Sequence, residues 1–310
     1  MSSVAQTVYD PARLRTVMRR PRRWRQMLVA YSFIAPNFLG FAIFTLGPIL
    51  FAFALAFLHW DGSNPITFAG LDNFWRLFGD RSFIQAFWNT ILYALLSVPL
   101  TMVCALALAM LLNQKIRGRE LFRTIMFFPY VASLVAVAVV WNMLFNPEMG
   151  PVNMVLYTLG VSPQHLPKWA ADRNWAMITV ALFSVWKNMG YYMVIYLAGL
   201  QTINRDLYEA ANIDGATAWQ RFIFVTLPQL RPTTFFVLVM LTIQSFKVFD
   251  QIYLLTQGGP GTSTLVLVYD IYNEAFISWD LGYASMVALV LFLVVITVTI
   301  VQFRFSRQAE

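Results

Sequence analysis

Tyr208-Glu209-Ala210-Ala211-Asn212-Ile213-Asp214-Gly215-Ala216 forms a polar stretch, and Leu227-Pro228 follows twelve residues after Gly215. Long apolar runs flank it, at residues 176–200 and 233–256. The stretch reads as two short helices lying on a surface. Asn204 can cap a helix that begins at Arg205, its side chain accepting a backbone N–H. Asp206 in the first turn suits the helix dipole. Gly215 can close that helix in a left-handed conformation that other residues resist. A second helix can run from Thr217 to about Val225 and stop ahead of Pro228, because proline disfavours helix in the residue before it. Ala210, Ala211, Gly215 and Ala216 keep one side small enough for another backbone to approach. Glu209 offers an acceptor to an arginine or a backbone N–H. The Ala-Ala pair by itself reads at least as well as packing on the chain's own helix ends.

Working outward, the flanking runs belong to a set of six. The chain has 310 residues, 59% hydrophobic and 12% charged, whereas soluble domains carry about 25% charged residues. Runs nearly free of charge fall at residues 27–58, 86–112, 124–145, 176–200, 233–256 and 281–303. Each reaches the roughly 20 residues that cross a bilayer as helix. Lipid offers the backbone no hydrogen bonds, so spans of this length must be helices. The expected fold is an all-α membrane protein with six transmembrane helices. The first run is over-long, and Pro36, Gly47 and Pro48 can bend it. The run after the basic N-terminus exceeds a signal-peptide core and no small-x-small site closes it, which argues against a cleaved signal. Cys104 is the only cysteine, so no intrachain disulfide can form.

The charges set an orientation. The net charge is +7. Seven arginines crowd residues 13–25, just before the first run. Lys115, Arg117, Arg119 and Arg123 mark the second loop, Arg205, Arg221 and Arg231 the fourth, and Arg304 and Arg307 the tail. The alternate loops are balanced or acidic, with Asp270, Glu274 and Asp280 unopposed in the last. Basic residues favour the cytoplasmic side, so both termini are expected there. This alternation excludes nucleic-acid binding as the purpose of the charge; anionic lipid is the fitting contact for the arm. In the second outer loop residues 152–159 are apolar but too short to span and should lie at the interface or pack on the bundle, and in the third residues 264–277 should form a short helix outside the membrane.

Within the runs, Lys187, Lys247 and Asp250 are costly to insert, about 2.5 kcal/mol or more each, so they should face the bundle interior or water. Lys247 and Asp250, three apart, should share a helix face. With Asn188, Tyr191, Tyr192, Gln244 and Gln251 they combine aromatic faces and hydrogen-bonding groups, which suits a sugar path. An ion pair from Asp250 to Lys187 or Lys247, holding two helices in register, is an equal reading of the charges. Chemistry of other kinds finds no support. No Gly-Lys pair exists for a phosphate loop. The two histidines, His59 and His165, are far apart in sequence and suggest no metal site, and no Gly-x-Ser-x-Gly elbow occurs. No catalytic residue is expected.

The Glu209-Ala210-Ala211, Gly215 and Leu227-Pro228 spacing resembles the E-A-A loop with which permeases of ATP-binding-cassette (ABC) importers dock on their ATPase subunits. The flanks, Asp206-Leu207-Tyr208 and Trp219-Gln220-Arg221-Phe222, resemble the carbohydrate-uptake branch. Asn204 and Asp206 depart mildly from that pattern. The run Phe249–Pro260 is similar to the segment closing the fifth core helix of those permeases. The resemblance implies a type I importer (MetI-like) bundle with a cytoplasmic coupling helix. It is that of the first permease of the maltose/oligosaccharide-type pair. Glu209, Ala210, Ala211, Asp214, Gly215, Ala216, Leu227 and Pro228 would then couple to the ATPases. It further implies a second related permease, two ATPase subunits holding ATP and Mg, and an extracytoplasmic solute-binding protein, with no cofactor on this chain. The expected layout is a basic arm at 1–26, a permease domain at 27–303 with its coupling loop at 204–228, and a tail at 304–310. Glycerol 3-phosphate or glycerophosphodiesters are the alternative cargo, with Lys187 or Lys247 meeting phosphate. A self-sufficient secondary transporter would need inverted repeats and more buried acids than Asp250.

Overall fold

A computed structural model describes residues 23–114 and 116–308. Arg13 to Arg22 and Lys115, expected to mark the cytoplasmic side, lie outside the described residues. The chain divides into two compact units, Met1–Ala52 and Phe53–Glu310. In the first, α1 (Arg23–Phe41) leads through a wide π turn, Ala42–Leu46, into α2 (Gly47–Leu55). The bend expected at Pro36, Gly47 and Pro48 is resolved differently. Pro36 sits within α1, and the Gly47 N–H donates to the Ala42 carbonyl five residues back. The widened turn supplies the slack that Pro48 requires.

The second unit opens with a two-residue antiparallel bridge between β1 (Leu58–His59) and β2 (Thr67–Phe68). Then come α3 (Asp72–Gly79), α4 (Arg81–Leu112), α5 (Arg119–Val131), α6 (Leu134–Leu144) and α7 (Pro151–Thr158). The central helix is α8 (Ala176–Thr202), followed by α9 (Arg205–Ile213), α10 (Ala218–Arg221) and α11 (Leu227–Gln229). After these lie α12 (Arg231–Phe246), α13 (Asp250–Leu255), α14 (Leu267–Tyr272) and α15 (Leu281–Gln308). Among the described residues, three helical stretches are long and apolar enough to cross a membrane, or five if each of two bent pairs is one span. Helix α8, with Lys187 and several polar residues, is not among them.

Helix α8 packs against α4, α5 and α12. Small residues make the approach close: Ala86, Ala105 and Ala109 of α4 are fully buried. A Cβ on Gly190 of α8 would overlap the Met126 carbonyl of α5. One core gathers around Tyr93, Phe183, Ile252 and Tyr283, a second around Tyr192, Tyr196, Leu200 and Leu241. Leu95, Val103 and Leu111 of α4 point outward, as lipid-facing residues do.

Two of the expected spans are broken. Residues 124–145 form α5 and α6 at 99° to each other. Pro129, lacking an N–H and crowding the carbonyl four residues back, weakens the helix there, and Ala132 turns extended. Residues 233–256 divide at Lys247–Phe249, where Phe249 leaves helical geometry (φ −139°, ψ −60°). Lys247 therefore ends α12 and Asp250 begins α13, and the two do not share one helix face.

A short helix falls at 264–277 as expected, as α14 with its trailing wide turn Asn273–Ile277, and residues 152–159 belong to α7. Asn89 of α4 donates to the carbonyls of Thr262 and Leu265 at 2.8 Å, and Thr90 Oγ1 accepts the Leu267 N–H at 2.9 Å. A charged cluster joins α3, α4, α14 and α15. Arg76 Nη1 lies 2.5 Å from Asp280 and Nη2 3.8 Å from Glu274, while its guanidinium covers the Tyr283 ring. Tyr283 donates to Asp80 at 2.6 Å. Asp270 is 2% exposed, and one carboxylate oxygen has no hydrogen-bond partner among the described residues. Burial, then the charges of Asp80 and Glu274, push its carboxyl up to about 7.

Candidate functional site

The α12–α13 break and Tyr130, near the end of α5, line one cavity of about 350 Å³. Tyr130 comes from the end of α5, Tyr191 and Tyr192 from α8, Met240, Ile243 and Gln244 from α12. The α12–α13 break adds Lys247, Val248 and Phe249, and α13 adds Asp250 and Gln251. Such a volume suits a small polar molecule. Tyr130 and Tyr191 stack at 4.5 Å, Tyr192 meets Tyr191 edge-on, and the Tyr192 hydroxyl donates to Gln244 at 2.9 Å. The walls thus offer flat aromatic surface beside an amide, an ammonium and a carboxylate. The structure brings together six of the residues singled out from sequence: Tyr191, Tyr192, Gln244, Lys247, Asp250 and Gln251.

Lys187 and Asn188 lie elsewhere. Lys187 Nζ donates to the carbonyls of Pro129 at 3.0 Å, Ala132 at 3.1 Å and, more weakly, Tyr130 at 3.5 Å. Asn188 is buried, donates to the Ser184 carbonyl, and sits in a narrow polar seam with Tyr93, Ser97 and Ser245. The ion pair weighed for Asp250 is not formed. Among the described residues neither Lys187 nor Lys247 comes within 4.0 Å of its carboxylate, and Lys247 and Asp250 are both exposed. Tyr130 was missed by sequence reasoning. The available signal was Pro129, which marks where a lining residue can leave the regular helix. No group of three His, Cys, Asp or Glu is placed to hold a metal among the described residues.

The second region is the polar loop. Asn204 caps α9 by accepting the Asp206 N–H, and Gly215 follows with φ +74°. Thr217 and Gln220 form a reciprocal capping box at α10. The Arg221 guanidinium donates to Asn212, and Tyr208 shares a hydrogen bond with Thr226, so the two arms are braced. The second arm does not stop before Pro228. A wide turn at Phe222–Thr226 carries it into α11, and the bend comes at Leu230, before Arg231-Pro232. A π turn bonds five residues back, so Pro228 is accommodated inside helix. Glu209, Ala210, Asp214, Gly215 and Leu227 are exposed, and Ala211, Ala216 and Pro228 half-buried. Ile213, Trp219 and Phe224 are 87%, 67% and 74% exposed beside them, an apolar surface next to an acidic one. Leu227 and Pro228 also edge a groove of about 810 Å³ with Phe235, Val301 and Phe305.

A helical bundle with stretches long and apolar enough to cross a membrane, a cavity beside a broken helix and a braced, exposed helical arm is consistent with a membrane transport component. Residues 97–309 match the family described as binding-protein-dependent transport system inner membrane component, and the chain belongs to it. It is 38% identical to the lactose transport system permease protein of Rhizobium radiobacter, over 90% of this chain and 94% of that one. To the sn-glycerol-3-phosphate transport system permease protein of Agrobacterium fabrum it is 34% identical, over 91% and 95%. Among solved structures, a bacterial alginate ABC transporter bound to its alginate-pentasaccharide-loaded periplasmic protein superimposes with a TM-score of 0.79. That chain is 26% identical, with 92% of this chain and 96% of that one covered.

Proposed function

We propose that this chain is a permease subunit of an ATP-driven sugar importer. It holds di- or oligosaccharide in the cavity between α5, α8, α12 and α13. The observation that carries the reading is the wall itself. Stacked Tyr130 and Tyr191 can lie on the C–H faces of a sugar, while Gln244, Gln251 and Asp250 can meet its hydroxyls. The relatives' names, lactose and alginate among them, support the same class. A second related permease, two ATPase subunits with ATP and Mg, and a solute-binding protein complete the machine. The ATPases dock on Glu209 to Ala216 and Leu227-Pro228. Helix α8, at about 1.5 Å per residue long enough to cross, the bent α5–α6 pair, and α12 continued by α13 make the spans six. Both termini then lie in the cytoplasm, with the arm at 1–26, the permease domain at 27–303 and the tail at 304–310 as its parts.

One observation favours the phosphate-bearing cargo. Lys247 is exposed in the cavity and can meet an anion. Lys187 is already committed to backbone carbonyls. Asp250, next to Lys247 on the same wall, disfavours a dianion by like charge. Uptake of radiolabelled lactose, maltose and trehalose by vesicles holding the whole complex, competed with glycerol 3-phosphate, tests the reading. Sugar uptake unaffected by glycerol 3-phosphate is expected. Uptake of glycerol 3-phosphate with none of any sugar would reverse the assignment.

A further inference from the structure

The break between α5 and α6 raises a question of hydrogen bonding. A helix end leaves its last carbonyls without intrahelical partners, and in a membrane such groups are costly. The Phe128 carbonyl is taken by the Ala132 N–H, and α6 restarts with the Val137 N–H on the Ser133 carbonyl. Between these, the carbonyls of Pro129, Tyr130 and Ala132 all turn to one ammonium, Lys187 Nζ. A cation at the C-terminal end of α5 also meets the negative pole of its dipole.

One turn further along α8, Gly190 lets the Met126–Phe127 backbone close against the helix. The next residue, Tyr191, stacks on Tyr130. Beyond the break, α6 packs on α13, with Asn142 reaching the Leu254 carbonyl at 3.4 Å. Lys187 therefore holds the junction from which one cavity wall hangs on each side: Tyr130 before the bend, and α13 with Asp250 and Gln251 after it.

We infer that Lys187 is a positioning residue for transport: its ammonium fastens the α5–α6 bend to α8 and so sets the Tyr130–Tyr191 wall against which sugar is bound. The inference rests on the cavity reading above, and the test separates the two.

The complex of permease, sister permease and ATPases is reconstituted with Lys187→Gln, Lys187→Arg, Tyr130→Leu, Gln244→Ala or the Lys187→Gln/Tyr130→Leu pair. Uptake of radiolabelled lactose, maltose and trehalose is measured. Lys187→Gln is expected to raise KM about tenfold, equivalent to about 1.4 kcal/mol. Its maximal rate and basal ATP hydrolysis should stay near wild type. Lys187→Arg keeps the charge on a wider fork and should raise KM less. The double variant should be no worse than the worse single, because both act through one wall. Amide exchange at residues 133–137 should quicken in Lys187→Gln, while that of α8 stays unchanged. An unaltered KM, additive effects, or unaltered exchange at the bend would each overturn the role of Lys187. Should Lys187→Gln not assemble, Lys187→Arg decides: a raised KM with unaltered exchange at the bend overturns the inference. Gln244→Ala judges the cavity alone. If it leaves KM unchanged, the cavity reading fails, while the exchange measurement still reports on the lysine.

Discussion

Asp250 begins α13 with its carboxylate on the cavity and no lysine in ion-pair range. Breaking a buried pair from one side costs about 3–5 kcal/mol, but an exposed group without that partner carries no such penalty. Asp250→Asn should therefore leave the melting temperature of the complex nearly unchanged and alter sugar-stimulated ATP hydrolysis or KM. A large drop in melting temperature with normal transport would remove Asp250 from the cavity wall. At this scale the sequence was informative about chemistry and poor about address. Aromatic and amide residues in apolar runs have few tolerable places, so most of those singled out meet in one cavity. Lys187 carries the same cost, yet a lysine stem can carry its ammonium to carbonyls on another helix. Nothing in its neighbours reveals that Pro129, far off in sequence, has exposed them.

At the scale of elements, the proposed docking unit is the braced arm of α9, α10 and α11. Gly215 at φ +74° has no atom within 4 Å of where a Cβ would stand, so a substitution there brings strain without collision. Gly215→Val should cost about 1 kcal/mol or more through backbone conformation alone. Glu209→Lys reverses a charge on an exposed face. Both variants should reach the membrane in normal amount yet lose ATPase co-purification and uptake. Normal uptake by both would dismiss the arm as the docking element. The caps at Asn204 and Gly215 were legible because they act within three residues of themselves; the capping box of Thr217 with Gln220 was not singled out. The wide turn at Phe222–Thr226 was not. Bonding five residues back instead of four changes no hydrophobic period, so Pro228 read as a stop. The breaks at Ala132 and Lys247 escaped for a related reason: apolar composition continues across them, and composition alone made each a single span.

Across the whole molecule, orientation is the broadest expectation. Cysteines placed at 215 should be reached by an impermeant reagent only from the cytoplasm, and those at 62, 163 and 260 only from outside. Outward labelling at 215 would overturn the orientation and the docking arm together. The charged cluster around Asp270 adds a dependence on pH. Asp270 ordinarily titrates at 3.8 and here near 7, with Asp80 and Glu274 facing it and Arg76, Asp280 and Tyr283 alongside. Below pH 4 folded and unfolded chains both hold its proton, and nothing is lost. Between about 4 and 7 only the folded chain holds it, so stability falls by up to about 1.4 kcal/mol per pH unit as pH rises. Glu274, raised first by burial, acts in the same direction. The wild-type complex should melt lower at pH 8 than at pH 5.5, and Asp270→Asn should narrow the gap. An equal gap in the variant would mean that Asp270 does not hold its proton in the folded state.

The lysine at the bend also imposes an order on biogenesis. The carbonyls it serves are made first, and Lys187 lies 58 and 55 residues after Pro129 and Ala132. At about 5–20 residues per second, several seconds of synthesis separate them. During that interval the bent α5–α6 segment is left without the ammonium that its carbonyls use in the folded chain. The bend therefore gains its full set of hydrogen bonds only when α8 is in place.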